Sequence, residues 1–198
     1  MKIKHIIWLV LLAVVVFLGF RSVSTYNKLS AYEQDVQLSW AQVETQFQRR
    51  YDLIPNLVNT IKGQANFESK TLEDIVKARA SASSIKVSAD DLTPEKLAQL
   101  QSEQNNLSTA LGRLLMVTEN YPTLKANEGF LNLQNQLEGI ENRIAFARDD
   151  FNAKVRLYNA QLVTFPNNLY AKILGFKVKP YFTATAGAEN APTVDFGN

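Results

Sequence analysis

Residues Arg49 to Asn59 read RRYDLIPNLVN, a block that sets two arginines, an aspartate and a proline inside an apolar helical repeat. A proline in a helix interior removes one backbone hydrogen bond and costs about 3 kcal/mol. Pro55 is therefore expected to mark either a corner between two helices or a kink within one. Local breaks in a regular pattern are typical of corners and of working surfaces, so this block decides how the chain is divided.

Apolar residues on both sides of the block recur at alternating steps of four and three, the spacing of a helical seam. The positions are Val36, Trp40, Val43, Phe47, Arg50, Ile54, Leu57 and Ile61, of which only Arg50 is not apolar. Comparable stripes follow Thr93-Pro94, a good helix start, and occupy 130–162. Strand signals are almost absent. The sequence therefore predicts an all-α fold.

With a corner at Pro55, four helices are expected to form a long antiparallel up-and-down bundle, at roughly 26–52, 55–83, 94–118 and 124–163. With only a kink, the first two helices merge into one bent rod. Asn167 to Phe176 is expected to form a short helix that ends at Gly175. The predicted organisation is an anchor in 1–24, a bundle in 25–165, a short helix with a basic segment in 166–182 and a disordered tail in 183–198.

Ile6 to Phe20 is an uninterrupted apolar run, IIWLVLLAVVVFLGF, with basic residues at both ends. It is shorter than the roughly 20 residues that span a bilayer, but the flanking Lys4 and Arg21 can extend it by snorkelling. We expect a retained single-pass anchor; the competing interpretation is a cleaved secretory signal, for which Ser22-Val23-Ser24 offers a site. The basic residues before the apolar run predict that the N-terminus faces the cytoplasm and that the body lies on the outer side of the cytoplasmic membrane.

Composition restricts the chemistry. The net charge is +2, and two of the 21 basic residues, Lys2 and Lys4, precede the apolar run, so the remaining ones equal the 19 acidic residues in number. A nucleic-acid partner, which needs a dense basic face, is not expected. The chain has no cysteine, and its one histidine is His5; neither a metal site nor a histidine-dependent hydrolase is expected. No glycine-rich phosphate loop is present, so we expect no enzyme and no cofactor.

Several blocks resemble the LemA family, bacterial membrane-anchored helical proteins, from the anchor to Phe176. The block around Pro55 and ENYPTLKA at 119–126 are the most specific, and the others are Tyr26-Asn27-Lys28-Leu29, the Trp40 region, Phe130 with Leu133-Gln134, Glu141 with Arg148, Asn152, Tyr158-Asn159 and Phe165-Pro166. The resemblance implies a short N-terminal tail, one membrane helix and an antiparallel helical bundle. It implies no established biochemical role.

Arg50 lies on the seam and must either reach the rim or pair with an acid inside the bundle. Glu119 is the expected partner. In the structural interpretation, Arg49, Arg50 and Asp52 fix the corner, and Asp52 caps a helix that begins near Pro55. In the functional interpretation a polar surface docks another protein, and its residues are Arg49, Asp52, Asn56 and Asn59, with Glu119, Tyr121 and Pro122 from the second proline block nearby.

Three lysines interleave with apolar and aromatic residues after the short helix: Lys172, Lys177 and Lys179 alternate with Ile173, Leu174, Phe176, Tyr181 and Phe182. Such a segment could lie on an anionic membrane surface, or it could be the solvated end of the last helix.

The function expected from these features is that of a non-enzymatic scaffold or adaptor in the bacterial inner membrane. Its partners are expected to be the bilayer and other membrane or envelope proteins, and its long helix faces also allow a homo-oligomer. The alternative is an envelope sensor whose helix packing responds to ligand or stress. The five residues before the apolar run are too few to hold a signalling domain.

Overall fold

The computed structural model of the chain describes residues 3–63 and 67–183. Those residues form helices and no strand, which confirms the all-α prediction. The helices are α1 (Ile3–Lys62), α2 (Ser69–Ser84), α3 (Pro94–Thr118), α4 (Pro122–Lys125), α5 (Glu128–Val163) and α6 (Asn167–Leu174). The predicted disordered tail, 183–198, lies outside the described residues except for Thr183.

Helix α1 is a single helix of 60 residues that runs through Pro55 to Lys62. Of the two interpretations of Pro55, the corner is wrong, and so is the helix over 55–83 that it predicted. The helix continues through Pro55, as the alternative requires, but the single rod of that alternative is also wrong, because α1 ends at Lys62 and α2 begins at Ser69. Pro55 cannot donate to the carbonyl of Tyr51 four residues earlier. That carbonyl instead accepts a hydrogen bond of 2.7 Å from Nε of Arg79 on α2. A side chain from a neighbouring helix thus compensates the donor that proline removes.

This compensation predicts a coupling between Arg79 and Pro55. Arg79→Met should lower the free energy of unfolding by about 1.5 kcal/mol, since a hydrogen bond from a charged donor is lost. In a Pro55→Ala background the backbone N–H returns to the Tyr51 carbonyl, so the same change should cost about 1 kcal/mol less. Chemical denaturation of the four proteins of this double-mutant cycle measures the difference. Equal costs in both backgrounds would contradict the account.

Side chains cap the two long helices of the body. Thr93 accepts a hydrogen bond from the backbone N–H of Lys96 at the start of α3, and Asn127 accepts one from Phe130 at the start of α5. Gly175 ends α6 with a positive φ of 83°, a conformation that glycine adopts without strain. The predicted start at Thr93-Pro94 and the predicted end at Gly175 are confirmed.

Helix α5 packs against the part of α1 that follows the apolar run, and α2 packs on α3. Trp40 on α1 contacts Phe151 on α5, whereas Arg50, further along α1, contacts Glu141, earlier on α5. The two helices therefore run antiparallel. All eight seam positions of α1 are buried, which confirms them as core. The up-and-down arrangement of the whole bundle stays a prediction.

Residues 176–183 form a strap that returns along α5 and is held by two asparagines. The side-chain amide of Asn159 both accepts from the backbone N–H of Lys179 and donates to its carbonyl, at 2.9 and 2.8 Å. Asn152 holds Phe182 in the same way, at 2.9 and 3.0 Å. Lys179 forms an ion pair of 3.1 Å with Glu33, and Phe182 is buried against Trp40. For Lys179 and Phe182 both interpretations, a membrane surface and a solvated helix end, are therefore wrong, because both side chains pack into the body.

The N-terminal part of α1 differs from the rest of the molecule. Every residue from Ile3 to Phe20 is exposed, although an 18-residue window of this helix has a mean hydropathy of 2.6. Of the described residues, this is the one helix segment long and apolar enough to cross a membrane. Its exposure is what a lipid-facing helix requires, and it agrees with a single-pass anchor.

Candidate functional site

Arg50 is the centre of a buried polar cluster. Its side chain is 1% exposed, and its Nη1 donates to Glu141 on α5 at 2.5 Å and to Ser108 on α3 at 3.0 Å. Its Nη2 donates to the side-chain oxygen of Gln104, also on α3. A guanidinium group suits this position because its five donors are fixed in one plane and it stays charged. Arg50 thus joins α1 to two other helices.

Glu119, the predicted partner of Arg50, is not its partner. Glu119 lies just after the end of α3 and forms an exposed ion pair of 2.5 Å with Lys125. Arg50 faces the middle of α3 and of α5, where Glu141 is the acid within reach. The pairing of α1 with α5 selects Glu141, and that pairing cannot be obtained from the period of either helix alone.

Tyr51 extends the cluster to α2. Its hydroxyl donates to the carbonyl of Ala82 at 3.0 Å and accepts from the side-chain amide of Gln104. Burial raises the pKa of Tyr51, so the hydroxyl stays protonated and can donate. Together with the bond from Arg79, these contacts define a polar hub, made of Arg50, Tyr51, Arg79, Gln104 and Glu141. The hub ties α1 to α2, α3 and α5.

A third arginine lies near the two of the hub. Arg148 on α5 places its guanidinium 4.6 Å from the ring centroid of Phe182, in a cation–π contact with the strap. Burial lowers the pKa of Arg148, and the positive charge of Arg50 lowers it further, whereas Asp149 and Glu141 raise it. Arginine remains protonated in spite of such shifts. Arg148 thus contacts the strap and lies close enough to the hub to be influenced by the charges of Arg50 and Glu141.

The predicted cap at Asp52 is wrong, because no helix begins at Pro55. Asp52 instead accepts a hydrogen bond of 2.7 Å from Gln48, one turn earlier on the surface of α1. Arg49, Asp52, Asn56 and Asn59 are all exposed and follow steps of three and four, so they share one face of the helix. These four predicted docking residues are therefore together on one surface.

An open groove adjoins that face. It has a volume of about 600 Å³ and lies between α1 and α5. The α1 side is formed by Arg49, Asp52 and Leu53, and the α5 side by Asn135, Gln136, Gly139, Ile140 and Arg143. Sequence reasoning missed the α5 side, although Gly139 inside a long helix was a usable signal. A Cβ atom added at Gly139 would meet nothing within 4 Å, so the groove is open at its centre.

The second proline block lies between α3 and α5. Pro122 occupies the first position of α4, and the ring of Tyr121 packs against Phe67 with 5.0 Å between centroids. These contacts belong to the turns that join α1 to α2 and α3 to α5. Participation of Glu119 and Tyr121 in the same docking surface as Asn56 stays a prediction.

The described residues hold no cluster of three or more acidic, histidine or cysteine side chains that could bind a metal ion. The hub offers charge-assisted hydrogen bonds and the groove offers charged edges around Leu53 and Ile140. The contacts of the hub fix the helices of the body to one another.

Comparison with known proteins agrees with this architecture. The sequence model of the LemA family matches residues 39–196. Magnetosome protein MamQ 2 of Paramagnetospirillum magneticum is 27% identical over 176 residues, which cover 79% of this chain and 64% of that protein. Magnetosome protein MamQ of Magnetospirillum gryphiswaldense is 26% identical with the same coverage. Protein LemA of Metamycoplasma hominis is 25% identical over 155 residues, 78% of this chain and 67% of that protein. The chain thus spans just under two thirds of the magnetosome relatives it matches.

Proposed function

The chain belongs to the LemA family, and from that premise we propose that it is a non-enzymatic, membrane-anchored scaffold or adaptor of the bacterial cell envelope. Its apolar N-terminal helix crosses the inner membrane once and its body stands on the outer side. The body is an up-and-down bundle that binds other envelope proteins there. It can also self-associate through its long helix faces.

The continuity of α1 carries this proposal. One helix includes both the exposed apolar segment that ends at Phe20 and the groove residues that begin at Arg49. At 1.5 Å per residue, the groove stands about 45 Å beyond the end of the apolar run. Pro55 does not interrupt the helix, and Arg79 of the polar hub donates to the Tyr51 carbonyl that the proline leaves without its helical donor. A binding surface held at a set height above a membrane is what an adaptor requires.

The groove between α1 and α5 is the docking site of the proposal. Leu53 and Ile140 supply apolar contact, while Arg49, Asp52 and Arg143 supply charge at the edges. A groove between two helices suits an amphipathic helix of the partner. That partner helix would place its apolar residues in the groove and its acidic residues opposite the arginines. Asn56 and Asn59 continue the same face and can bind the partner's backbone or polar side chains.

Filling the groove tests the proposal. Gly139→Leu should abolish capture of a partner, because the added side chain occupies the open centre of the groove. The same change should stabilise α5 by about 0.5–1 kcal/mol, since glycine is unfavourable inside a helix. The measurement is photocrosslinking in cells from a reactive residue at Gln136, followed by identification of the trapped protein.

Gly112→Leu is the matched control. Gly112 is an exposed helical glycine of α3 whose Cβ would also meet nothing within 4 Å. It should gain similar stability and keep the partner. Asn56→Ala combined with Asn59→Ala should leave folding intact and weaken capture. No protein trapped above background by the unmodified chain, or capture that survives Gly139→Leu unchanged, would refute the adaptor role of this groove.

A further inference from the structure

We propose that α6 lies on the surface of the bilayer and gives the protein a second membrane contact beside the anchor. The inference rests on the membrane anchoring proposed above and goes beyond it, since it assigns a lipid-binding role to a part of the body. It concerns an apolar stripe made of Phe165, Leu169 and Ile173.

The stripe is exposed and unpartnered in the described fold. Phe165 is 76% exposed, Leu169 56% and Ile173 81%. Leu169 and Ile173 are four residues apart and share one face of α6. Phe165 lies in the turn just before the helix and adds a further exposed ring. Ala171 is the buried residue of α6, so the helix presents large apolar residues outward, the reverse of a helix that only supports a core.

The position of α6 places this stripe near the bilayer. Helix α6 contacts both α1 and α5, and the ring of Phe176, just after α6, lies 5.7 Å from the ring of Tyr26 on α1. Tyr26 follows the last residue of the apolar run, Phe20, by six residues, or about 9 Å along the helix. That distance is close to the outer edge of the headgroup region, which extends roughly 5–8 Å beyond a hydrocarbon core that ends near Phe20.

Charges around the stripe suit the same location. Lys172 and Lys177 flank it and are exposed, and Arg21 and Lys28 are exposed on the neighbouring part of α1. Cationic side chains near a bilayer are attracted to anionic headgroups. Lys179, in contrast, is paired with Glu33 and is not available.

We expect the bilayer, not a protein, to cover the stripe, because the stripe lies next to the exposed apolar segment of α1, which itself needs to be surrounded by lipid. The residues from Ile6 to Phe20 are exposed and apolar, and the stripe adds apolar area at the end of that segment. An interfacial helix buries such a face at the level of the headgroups and acyl chains. A protein partner remains an outcome that the experiment distinguishes.

Spin labelling tests the inference in the full chain. Because the protein has no cysteine, single changes Ile173→Cys, Val14→Cys and Met116→Cys each give one nitroxide site. In vesicles of phosphatidylethanolamine and phosphatidylglycerol, collision rates with oxygen and with a soluble nickel chelate report depth. We expect the label at position 14 to be accessible to oxygen and protected from nickel. We expect position 173 to show a several-fold higher ratio of oxygen to nickel collisions than position 116, an exposed apolar site on α3.

The outcomes separate the two proposals. A label at 173 that collides with nickel as freely as the label at 116, while position 14 stays protected, overturns the inference and leaves the anchor intact. A label at 173 shielded from both reagents shows that protein covers the stripe, which also overturns it. Free nickel collisions at position 14 would remove the anchor and the second contact together.

Discussion

Replacement of Arg50 by alanine should lower the free energy of unfolding of the helical body by about 3 kcal/mol. The change leaves Gln104 and Ser108 without their donor and Glu141 without its positive partner. Breaking one side of a buried ion pair typically costs 3–5 kcal/mol. The lower end applies because the Glu141 side chain is 43% exposed and can be hydrated. Denaturation of the full chain in detergent, followed by circular dichroism, measures the loss.

The adjacent arginine provides the control. Arg49 is exposed, so Arg49→Ala should change stability by less than about 0.5 kcal/mol. If Arg50→Ala does not fold, Arg50→Lys keeps the charge but not the planar fork and should still be clearly less stable than the unmodified protein. Equal stability of the Arg49 and Arg50 variants would show that the hub does not hold the helices together.

Replacement of Trp40 by alanine should cost about 4 kcal/mol, in the range for large aromatic residues in a core. Trp40 is buried, its indole N–H donates to the carbonyl of Val87 at 2.9 Å, and its ring contacts both Phe151 and Phe182. The variant should also release the strap, since Phe182 loses the ring on which it stacks.

Two measurements check this second prediction. Chemical denaturation gives the loss of stability, and limited proteolysis should cut within 176–183 faster in the variant than in the unmodified chain. Leu38→Ala, two residues earlier on an exposed position of the same helix, should change neither quantity. A variant at Trp40 whose strap resists the protease as before would contradict the proposed role of the Trp40, Phe151 and Phe182 cluster.

Periodicity sufficed to predict the core. The seam of α1 and the stripe of α5 could be identified because a buried helix face must repeat every three to four residues. Polar residues on those stripes also carried information. Gln104 interrupts the stripe of α3 as Arg50 interrupts that of α1, and the structure joins the two. Matching such interruptions between helices was the signal that would have located the hub.

The errors all concern contacts between distant segments. In the sequence, Pro55 indicates a possible corner because an isolated helix would lose the backbone hydrogen bond to the Tyr51 carbonyl. Only the tertiary fold brings Arg79 to that carbonyl. Glu141 could not be preferred to Glu119 without the register of α1 against α5. From the sequence alone, Lys179 is expected to be a surface charge. In the fold, the side chains of Asn152 and Asn159 bind the backbone of the strap and hold it against the body. Local patterns specify helices, whereas partners depend on packing.

The most direct test of the central claim is a distance between two sites on α1 on either side of Pro55. Nitroxide labels on Leu38→Cys and Lys62→Cys, both at exposed positions, should lie about 36 Å apart by pulsed electron resonance if α1 is one straight helix. A corner at Pro55 would fold the end back and bring the labels to about 20 Å. A distribution centred near the longer distance supports a rigid helix that joins the membrane to the groove; one centred near the shorter distance would contradict it.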